Sequence, residues 1–587
     1  MEMLEEFLIS TEKNNSLFER EIRKLPVPIC DIFTKEGKIV PAKFKKTDKQ
    51  IGTSDIEMIN KEFPKTVKDS ENKILEGIKG DVKVSGKRVA VLFSGGPAAG
   101  GHNILVGLKK MLGENNVLFG VKGGPKGLLE GKLFEIKDGD IEKILNTGGF
   151  DFLGSDRTKI KTEEQYEAVR NTVKKFNLNG IVIVGGDDSN TNAAVLAELL
   201  YDEGVQVIGV PKTIDGDLQF GDILPISFGF DTATKIYSEL VGNILQDTPS
   251  SRKYWHFIKL MGRSASHVTL EVALQTHPAI ALISEEVEAK KMSLREIVNK
   301  ICDVIIKRAA KGINHGVVVI PEGLIEFVPE MRTLIDELND LMGHYNEDIS
   351  KMFTFEEKKD FIYKKLTAES ARLMASLPDE FEKMLLLDRD SHGNLQVSQI
   401  PTEKLLIMMV EEKINEIKNH PEEVKHLNLT PEEIEKVKKF KFATNNHFFG
   451  YEGRCGAPTL FDAAYTLNLG MCAGSLILDG KTGYIASVTD LDRGGRVLAL
   501  PLTGLLNIEK RHGKNEMVIR KALVELDSPA FKFFVERREK WAEEDLFASP
   551  GPRQLWGPVS KQMPVTVALN RGYSSLEFNL GKECKVF

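Results

Sequence analysis

From Lys87 onward the chain repeats one pattern, a run of four to six apolar residues that stops at glycine or a polar turn. Arg88-Val89-Ala90-Val91-Leu92-Phe93 is the first such run. Val117 to Val121, Ile181 to Val184, Val205 to Val210, Phe257 to Met261, Ala279 to Ile283 and Val317 to Ile320 follow it. These runs do not alternate apolar with polar, so each predicts a strand buried on both faces. Most lead into an amphipathic stretch at helical spacing: 101–112, 162–176, 189–200, 231–246, 266–275 and 294–310. Buried strands separated by helices predict a parallel α/β sheet, and ligands of such sheets sit at the carboxyl ends of the strands. The chemistry of this chain is therefore to be sought at the strand ends.

The pattern has clear limits. Residues 1–85 are polar and lysine-rich and read as an N-terminal extension packing on the core. Residues 86–250 form a first α/β domain, and 251–328 with 443–510 a second. Between them, 329–442 is charged and strand-poor and reads as a helical insertion, with Leu405-Leu406-Ile407-Met408-Met409-Val410 inside a helix and a capping box at Thr430-Pro431-Glu432-Glu433. Residues 511–587 read as a C-terminal segment packing on the core. A length of 587 residues exceeds what one hydrophobic core supports and suggests three or four domains.

The bulk numbers exclude several function classes. A net charge of −7 gives no footprint for nucleic acid or an anionic membrane, so cations that bind an anionic ligand must be concentrated locally. Cys30, Cys302, Cys455, Cys472 and Cys584 are odd in number and lack metal-ligand spacing, as expected in a reducing cytoplasm. The acidic start Met1-Glu2-Met3-Leu4-Glu5-Glu6 is unlike a signal peptide, and no apolar run is expected to span a membrane. Cys584-Lys585-Val586-Phe587 reads as an exposed tail.

Five strand ends carry glycine-rich or unusual polar turns. Ser94-Gly95-Gly96-Pro97-Ala98-Ala99-Gly100-Gly101 joins a strand to a helix, where glycines let backbone N–H groups approach a phosphate. Gly185-Gly186-Asp187-Asp188-Ser189-Asn190-Thr191 places two adjacent carboxylates at a helix start. One is accounted for as an N-cap, and two together call for a cation. Pro211-Lys212-Thr213-Ile214-Asp215-Gly216-Asp217 sets a lysine beside two acids, a phosphate clamp with a base. Met261-Gly262-Arg263 and Pro321-Glu322-Gly323 end two further strands.

In this order and context the motifs resemble the phosphofructokinases, and GGDDSNT with PKTIDGD resembles the pyrophosphate-dependent branch. The length, the insertion and Phe448-Phe449-Gly450-Tyr451-Glu452-Gly453-Arg454-Cys455-Gly456 resemble its long subfamily, which includes plant catalytic subunits. The resemblance runs from about Lys87 to Leu506. It implies a phosphofructokinase-like fold: two Rossmann-like parallel-sheet domains with an additional helical insertion. It implies reversible transfer of a phosphoryl group from pyrophosphate to the 1-hydroxyl of fructose 6-phosphate, giving fructose 1,6-bisphosphate and phosphate, with Mg²⁺ as cofactor.

By resemblance, Asp215 is the base that takes the proton of the sugar hydroxyl, Asp217 supports it, Lys212 and Arg263 belong to the catalytic group, and Asp187 is the magnesium ligand. Gly96, Arg157, Asp188 and Lys212 match the donor positions. Thr213, Ile214, Asp215, Met261, Gly262, Arg263, Glu322, Tyr451, Glu452, Gly453 and Arg454 match the acceptor site, with Arg454 clasping the 6-phosphate. Lys253 and Tyr254 lie where relatives reach across a subunit interface, which implies a homodimer with a shared site. ATP-using relatives have glycine at the positions of Asp188 and Lys212. A carboxylate ~4 Å from an anionic phosphate opposes binding by roughly 4 kcal/mol at an effective dielectric of ~20, enough to choose a donor. The first glycine loop lacks the Asp of ATP-using members, Asn445 replaces a cross-subunit arginine, and His267 has no derivable role beyond a helix-face core residue. An ATP-dependent phosphofructokinase and a non-catalytic regulatory subunit remain as alternatives. The presence of Asp187, Asp215 and Arg263 weighs against the second, and Asp188 with Lys212 against the first.

Overall fold

The computed structural model describes residues 25–80, 82–345, 348–349, 351–387, 400–511, 514–551 and 563–572; the acidic N-terminus and the Cys584 tail lie outside them. The chain divides into two compact units. One holds Met1–Ala233, Tyr451–Ala522 and Arg553–Phe587, and the other Thr234–Gly450 and Leu523–Pro552.

The first unit is built on a ten-stranded sheet. Its centre is five parallel strands, in the order Tyr484–Thr489, Gln206–Pro211, Gly180–Gly185, Arg88–Ser94 and Val117–Val121. The register sets Phe93 beside Val184, and Val184 beside Val210. Three adjacent strands thus end in line, so the loops at Gly95, Gly186 and Lys212 emerge side by side. Strand direction alone brings the three motifs together.

Two assignments of chain to sheet differ from the sequence expectation. Tyr484–Thr489 and Arg496–Pro501 join this sheet rather than that of the second α/β domain. Their residues are nearly all buried, and a buried apolar strand fits either core equally well, so composition could not choose. The N-terminal segment also does more than pack on the core: Lys43–Gln50 and Lys73–Ile78 extend the sheet antiparallel at its edge. Lys43-Phe44-Lys45-Lys46-Thr47-Asp48-Lys49-Gln50 is an edge strand whose charges discourage further pairing, and those same lysines made it read as a polar extension.

The helix Leu460–Leu478 runs through the first unit and is buried along almost its whole length. It packs on Gly101–Leu112 so closely that a Cβ on Gly107 would strike the Leu467 carbonyl, and one on Gly470 the Ile104 carbonyl. At 19 residues it is long and apolar enough to cross a membrane, which corrects the expectation that no stretch is; here it serves as a core helix.

The second unit has four parallel strands, in the order Ile280–Ala281, Gly316–Pro321, Trp255–Leu260 and Thr444–Phe449. Leu294–Ala310 covers it, entered through a capping box at Ser293 and Glu296. The stretch between Pro329 and Lys439 is helical where described, and the Thr430–Glu433 capping box forms. Its apolar faces share one core with the sheet, from Trp255 and Phe257 through Leu334, Leu405 and Leu406 to Phe440. A buried ion pair, Lys259 to Glu403 at 3.2 Å, joins the helix Thr402–Asn419 to the strand beneath it. The helix Pro529–Glu544 belongs to this unit. Buried Arg308 donates to Ala542 O at 2.5 Å and pairs with Asp545 at 2.6 Å, and Arg538 grips Glu286 through both nitrogens at 2.7 and 2.8 Å.

Candidate active site

In the first unit Arg157, Lys212 and Arg454 converge on Gly95 and Gly96. Gly95 has φ +84°, the left-handed region that favours glycine, and its N–H donates to Asp156 O at 2.9 Å while its carbonyl accepts from Ser155 Oγ at 2.9 Å. That pairing draws Arg157 alongside the loop. The space a Cβ on Gly96 would fill is taken by the Arg454 guanidinium, with Arg157 Nη2 3.6 Å from it. Lys212 Nζ stands 3.4 Å from the corresponding point on Gly95. Three cations therefore face one glycine turn at the end of a strand.

Lys212 is buried. Burial pushes its ammonium down to about 8; Arg454 and Arg157 push the same way, and Asp215 and Asp187 oppose them. A cation made this uncomfortable gains most when an anion arrives. Asp187 and Asp188 open the helix Asp187–Leu199 in its first turn, and Ser189 Oγ donates to Ser94 Oγ at 2.8 Å, tying this turn to the glycine loop. Asp215 N donates to Thr213 Oγ at 3.0 Å, Ser227 Oγ to Thr213 O at 2.9 Å, and Ala522 N to Asp217 O at 2.7 Å. Burial pushes the Asp217 carboxyl up to about 7, Asp215 adds to the rise, and Lys521, 3.9 Å away, opposes it. Ile214 is buried beneath the loop, so its contribution runs through backbone and packing.

Tyr451–Gly453 forms a single 3-10 turn with Tyr451 exposed, and Arg454 Cζ lies 5.2 Å from the Tyr451 ring centre. The expectation set Arg454 at the sugar 6-phosphate. Its guanidinium lies over Gly96, with Nε directed to Pro97 O at 3.4 Å.

The second unit holds the other predicted residues. Gly262 adopts φ +135° and donates its N–H to Glu322 Oε2 at 3.0 Å, across the paired strand ends Leu260 and Pro321. Gly323 backs on to the Arg263 carbonyl so closely that no Cβ fits. Met261, Gly262, Arg263 and Glu322 thus form one rigid corner, with Glu322 buried and Arg263 exposed. Lys253 and Tyr254 precede the strand Trp255–Leu260, with Lys253 exposed and its Nζ 5.5 Å from the Tyr254 ring centre. Asn445 lies on the strand Thr444–Phe449, beside His256. His267 is buried at the first position of its helix.

Known proteins supply the comparison. The chain is 47% identical over 496 residues to pyrophosphate–fructose 6-phosphate 1-phosphotransferase of Treponema pallidum (strain Nichols), covering 83% of this chain and 84% of that one. Residues 88–370 match the family Phosphofructokinase. The chain belongs to the phosphofructokinase family. It is also 45% identical over 493 residues to subunit beta 2 of the Arabidopsis thaliana pyrophosphate–fructose 6-phosphate 1-phosphotransferase, covering 83% of this chain and 82% of that one. The crystal structure of a pyrophosphate-dependent phosphofructokinase from Marinobacter aquaeolei matches with TM-score 0.49 at 16% identity, covering 85% of this chain and 99% of that one.

Two cations of this phosphofructokinase site escaped the sequence reading. Lys159 Nζ lies 2.9 Å from Asp188 Oδ1. It partly neutralises the carboxylate whose bare charge was set against a nucleotide, so the roughly 4 kcal/mol of repulsion at ~4 Å is an upper bound. The signal was present, since Lys159 stands two residues after Arg157 on the same strand-end loop. Lys521 faces Asp217 from a distant stretch of chain, and no local pattern marks it.

Proposed function

We propose that this protein transfers a phosphoryl group reversibly from pyrophosphate to O1 of fructose 6-phosphate, giving fructose 1,6-bisphosphate and phosphate. The observation that carries the reading is the cluster of Lys212, Arg157 and Arg454 on Gly95–Gly96, with Asp188 at the edge of the same set of loops. Three cations on one glycine turn suit a compact anion of high charge density. Pyrophosphate has that character, and it places nothing beyond its second phosphorus.

Phosphoryl transfer needs an aligned nucleophile and neutralised oxygens more than covalent help. In this reading Asp215 takes the proton of the 1-hydroxyl. O1 then bonds to the near phosphorus, the P–O–P bond breaks, and phosphate leaves against Lys212, Arg157 and Arg454. The reverse reaction uses the same groups. Among the described residues no three acidic, histidine or cysteine side chains gather into a metal cage, and Asp187 at the start of its helix offers one hard carboxylate, which suits Mg²⁺ held by few protein ligands and completed by phosphate and water. Asp187 would hold it, and the ion would neutralise charge on the phosphate oxygens. Glu322 and the Met261–Arg263 corner are assigned to the sugar phosphate. Lys253 and Tyr254 are assigned to a neighbouring copy in a homodimer. A cytoplasmic location is part of this reading and rests on the odd number and scattered spacing of the cysteines in the sequence.

Incubating the purified chain with fructose 6-phosphate and Mg²⁺, with pyrophosphate or ATP as donor, tests the reading. Formation of fructose 1,6-bisphosphate with pyrophosphate is the expected result. Turnover with ATP alone would move it to the ATP-dependent branch, and turnover with neither donor would leave a regulatory subunit.

A further inference from the structure

A pair of buried acids beneath the phosphate loops has no part in the chemistry above. Asp231 and Asp462 are both fully buried. Asp462 lies in the first turn of the core helix Leu460–Leu478, whose N-cap is Thr459. Its carboxylate accepts from Gly229 N at 3.0 Å, Thr232 N at 2.8 Å and Thr232 Oγ at 2.6 Å. Thr459 N donates to Thr232 Oγ at 3.1 Å, and Thr459 Oγ donates to Asp231 Oδ2 at 2.5 Å. Four side chains from two segments close one hydrogen-bonded ring.

The segment held by this ring braces both phosphate loops. Phe228 N donates to Pro211 O at 3.2 Å, and Ser227 Oγ to Thr213 O at 2.9 Å. Gly229, with φ +92°, is wedged so that a Cβ would stand 2.6 Å from Ala98 Cβ and 3.4 Å from Ile214 Cγ2. Gly100, with φ +100°, rests on Thr466, its Cβ position 3.4 Å from Asp462 O. Asp462 therefore anchors Gly229 and Thr232, and through Gly229 the packing against Ala98 of one loop and Ile214 of the other.

We propose that Asp462, with Asp231, Thr232 and Thr459, is a buried positioning latch that fixes the spacing of these two loops for phosphoryl transfer. The proposal rests on the pyrophosphate reading for its kinetic consequence but not for its geometry. Burial first, and Asp231 second, push the Asp462 carboxyl up to about 7. The ionisable groups facing it are Asp231 from the helix Phe230–Ser251 and Tyr465 from its own helix, whose hydroxyl donates to Ile226 O at 2.6 Å. The glycine loop and the Lys212–Asp217 loop turn Gly100, Ala98 and Ile214 towards this region. Two buried acids that repel each other do not both ionise readily, so Asp462 holds its proton to higher pH than a free carboxyl. A folded-state carboxyl raised in this way makes stability fall as pH rises from about 4 to about 7, and the latch loosens across that window.

The test compares Thr232→Val, Asp231→Asn and Asp462→Asn with the wild type. A misplacement of about 1 Å removes up to about 10²-fold of rate, so Thr232→Val and Asp462→Asn are expected to lower kcat with pyrophosphate by about 10-fold or more. KM for fructose 6-phosphate stays near its wild-type value. Hydrogen exchange in residues 94–100 and 212–217 is expected to quicken in both variants. In the wild type that exchange rises above its intrinsic pH dependence on approaching pH 7, and Asp231→Asn removes the excess. Wild-type kcat and wild-type loop exchange in folded Thr232→Val overturn the latch, even where Asp462→Asn fails to fold. If the wild type itself shows no turnover, the pyrophosphate reading fails, while loop exchange still decides the latch.

Discussion

Lys212 carries its charge where burial and two neighbouring guanidiniums work against it. With its ammonium pushed down to about 8, the lysine binds fewer protons in the folded chain than in the unfolded one, so this group adds stability as pH rises from about 8 towards 10.5. Function runs the other way. KM for pyrophosphate is expected to climb above pH 8 as the free enzyme loses the proton, and Lys212→Met to lower kcat/KM for pyrophosphate by about 10²-fold or more while abolishing that climb. A flat KM between pH 7 and 9 would contradict it. Asp188 is the second lever. Asp188→Gly is expected to admit ATP as a donor, whereas Asp188→Asn, which keeps the bulk, measures how much of the exclusion is charge. The Lys159 pairing predicts that Asp188→Asn admits less ATP than Asp188→Gly. Equal ATP use by the two variants would show that charge alone excludes the nucleotide. The acidic turns were legible in the sequence because adjacent carboxylates beside Gly-Gly have few purely structural uses. Lys159, Lys521 and the Asp231–Asp462 pair were not, because each gains its meaning from a partner that only the fold supplies.

The elements that position these residues are held by close packing and by a few buried polar ties. Helices Gly101–Leu112 and Leu460–Leu478 meet at Gly107 and Gly470 with no room for a methyl group. Gly107→Ala is therefore expected to destabilise the protein by about 1–3 kcal/mol through overpacking, read as a lower Tm in thermal unfolding; an unchanged Tm would show that the crossing can relax. At the other end of the chain, the Arg538 and Lys290 hydrogen bonds outweigh burial and hold the Glu286 carboxyl down to about 2. A carboxyl depressed in this way contributes stability above about pH 4.5 and loses it as pH falls towards 2. Arg538→Met is expected to loosen the helix Pro529–Glu544, seen as faster amide exchange there at pH 7 and a weaker acid dependence of Tm. Helix and strand positions were readable because periodicity reports burial directly: the predicted 101–112 and 294–310 helices appear with those bounds. Membership of a sheet was not readable for 484–501, since a strand buried on both faces carries no label for its neighbours.

At the scale of the whole molecule, the predicted site residues divide between the two units. One gathers the anion-binding cations and acidic loops on adjacent parallel strand ends, and the other builds a rigid Met261–Arg263 and Glu322 corner on its own sheet. The insertion shares the core of the second unit, so deleting 329–442 is expected to unfold that unit rather than to trim it. Length suggested three or four domains, whereas the chain divides into two compact units, because the helices that follow Pro329 share the core of the second sheet. The distribution of the C-terminal chain was not legible either: 451–522 belongs to one unit and 523–552 to the other. The central claim is that pyrophosphate is the phosphoryl donor. It is tested most directly by the kcat/KM of the purified protein for each donor, with fructose 6-phosphate and Mg²⁺ saturating. The account predicts efficient turnover with pyrophosphate and at least about 10²-fold less with ATP; an ATP value equal to or above that for pyrophosphate would contradict it.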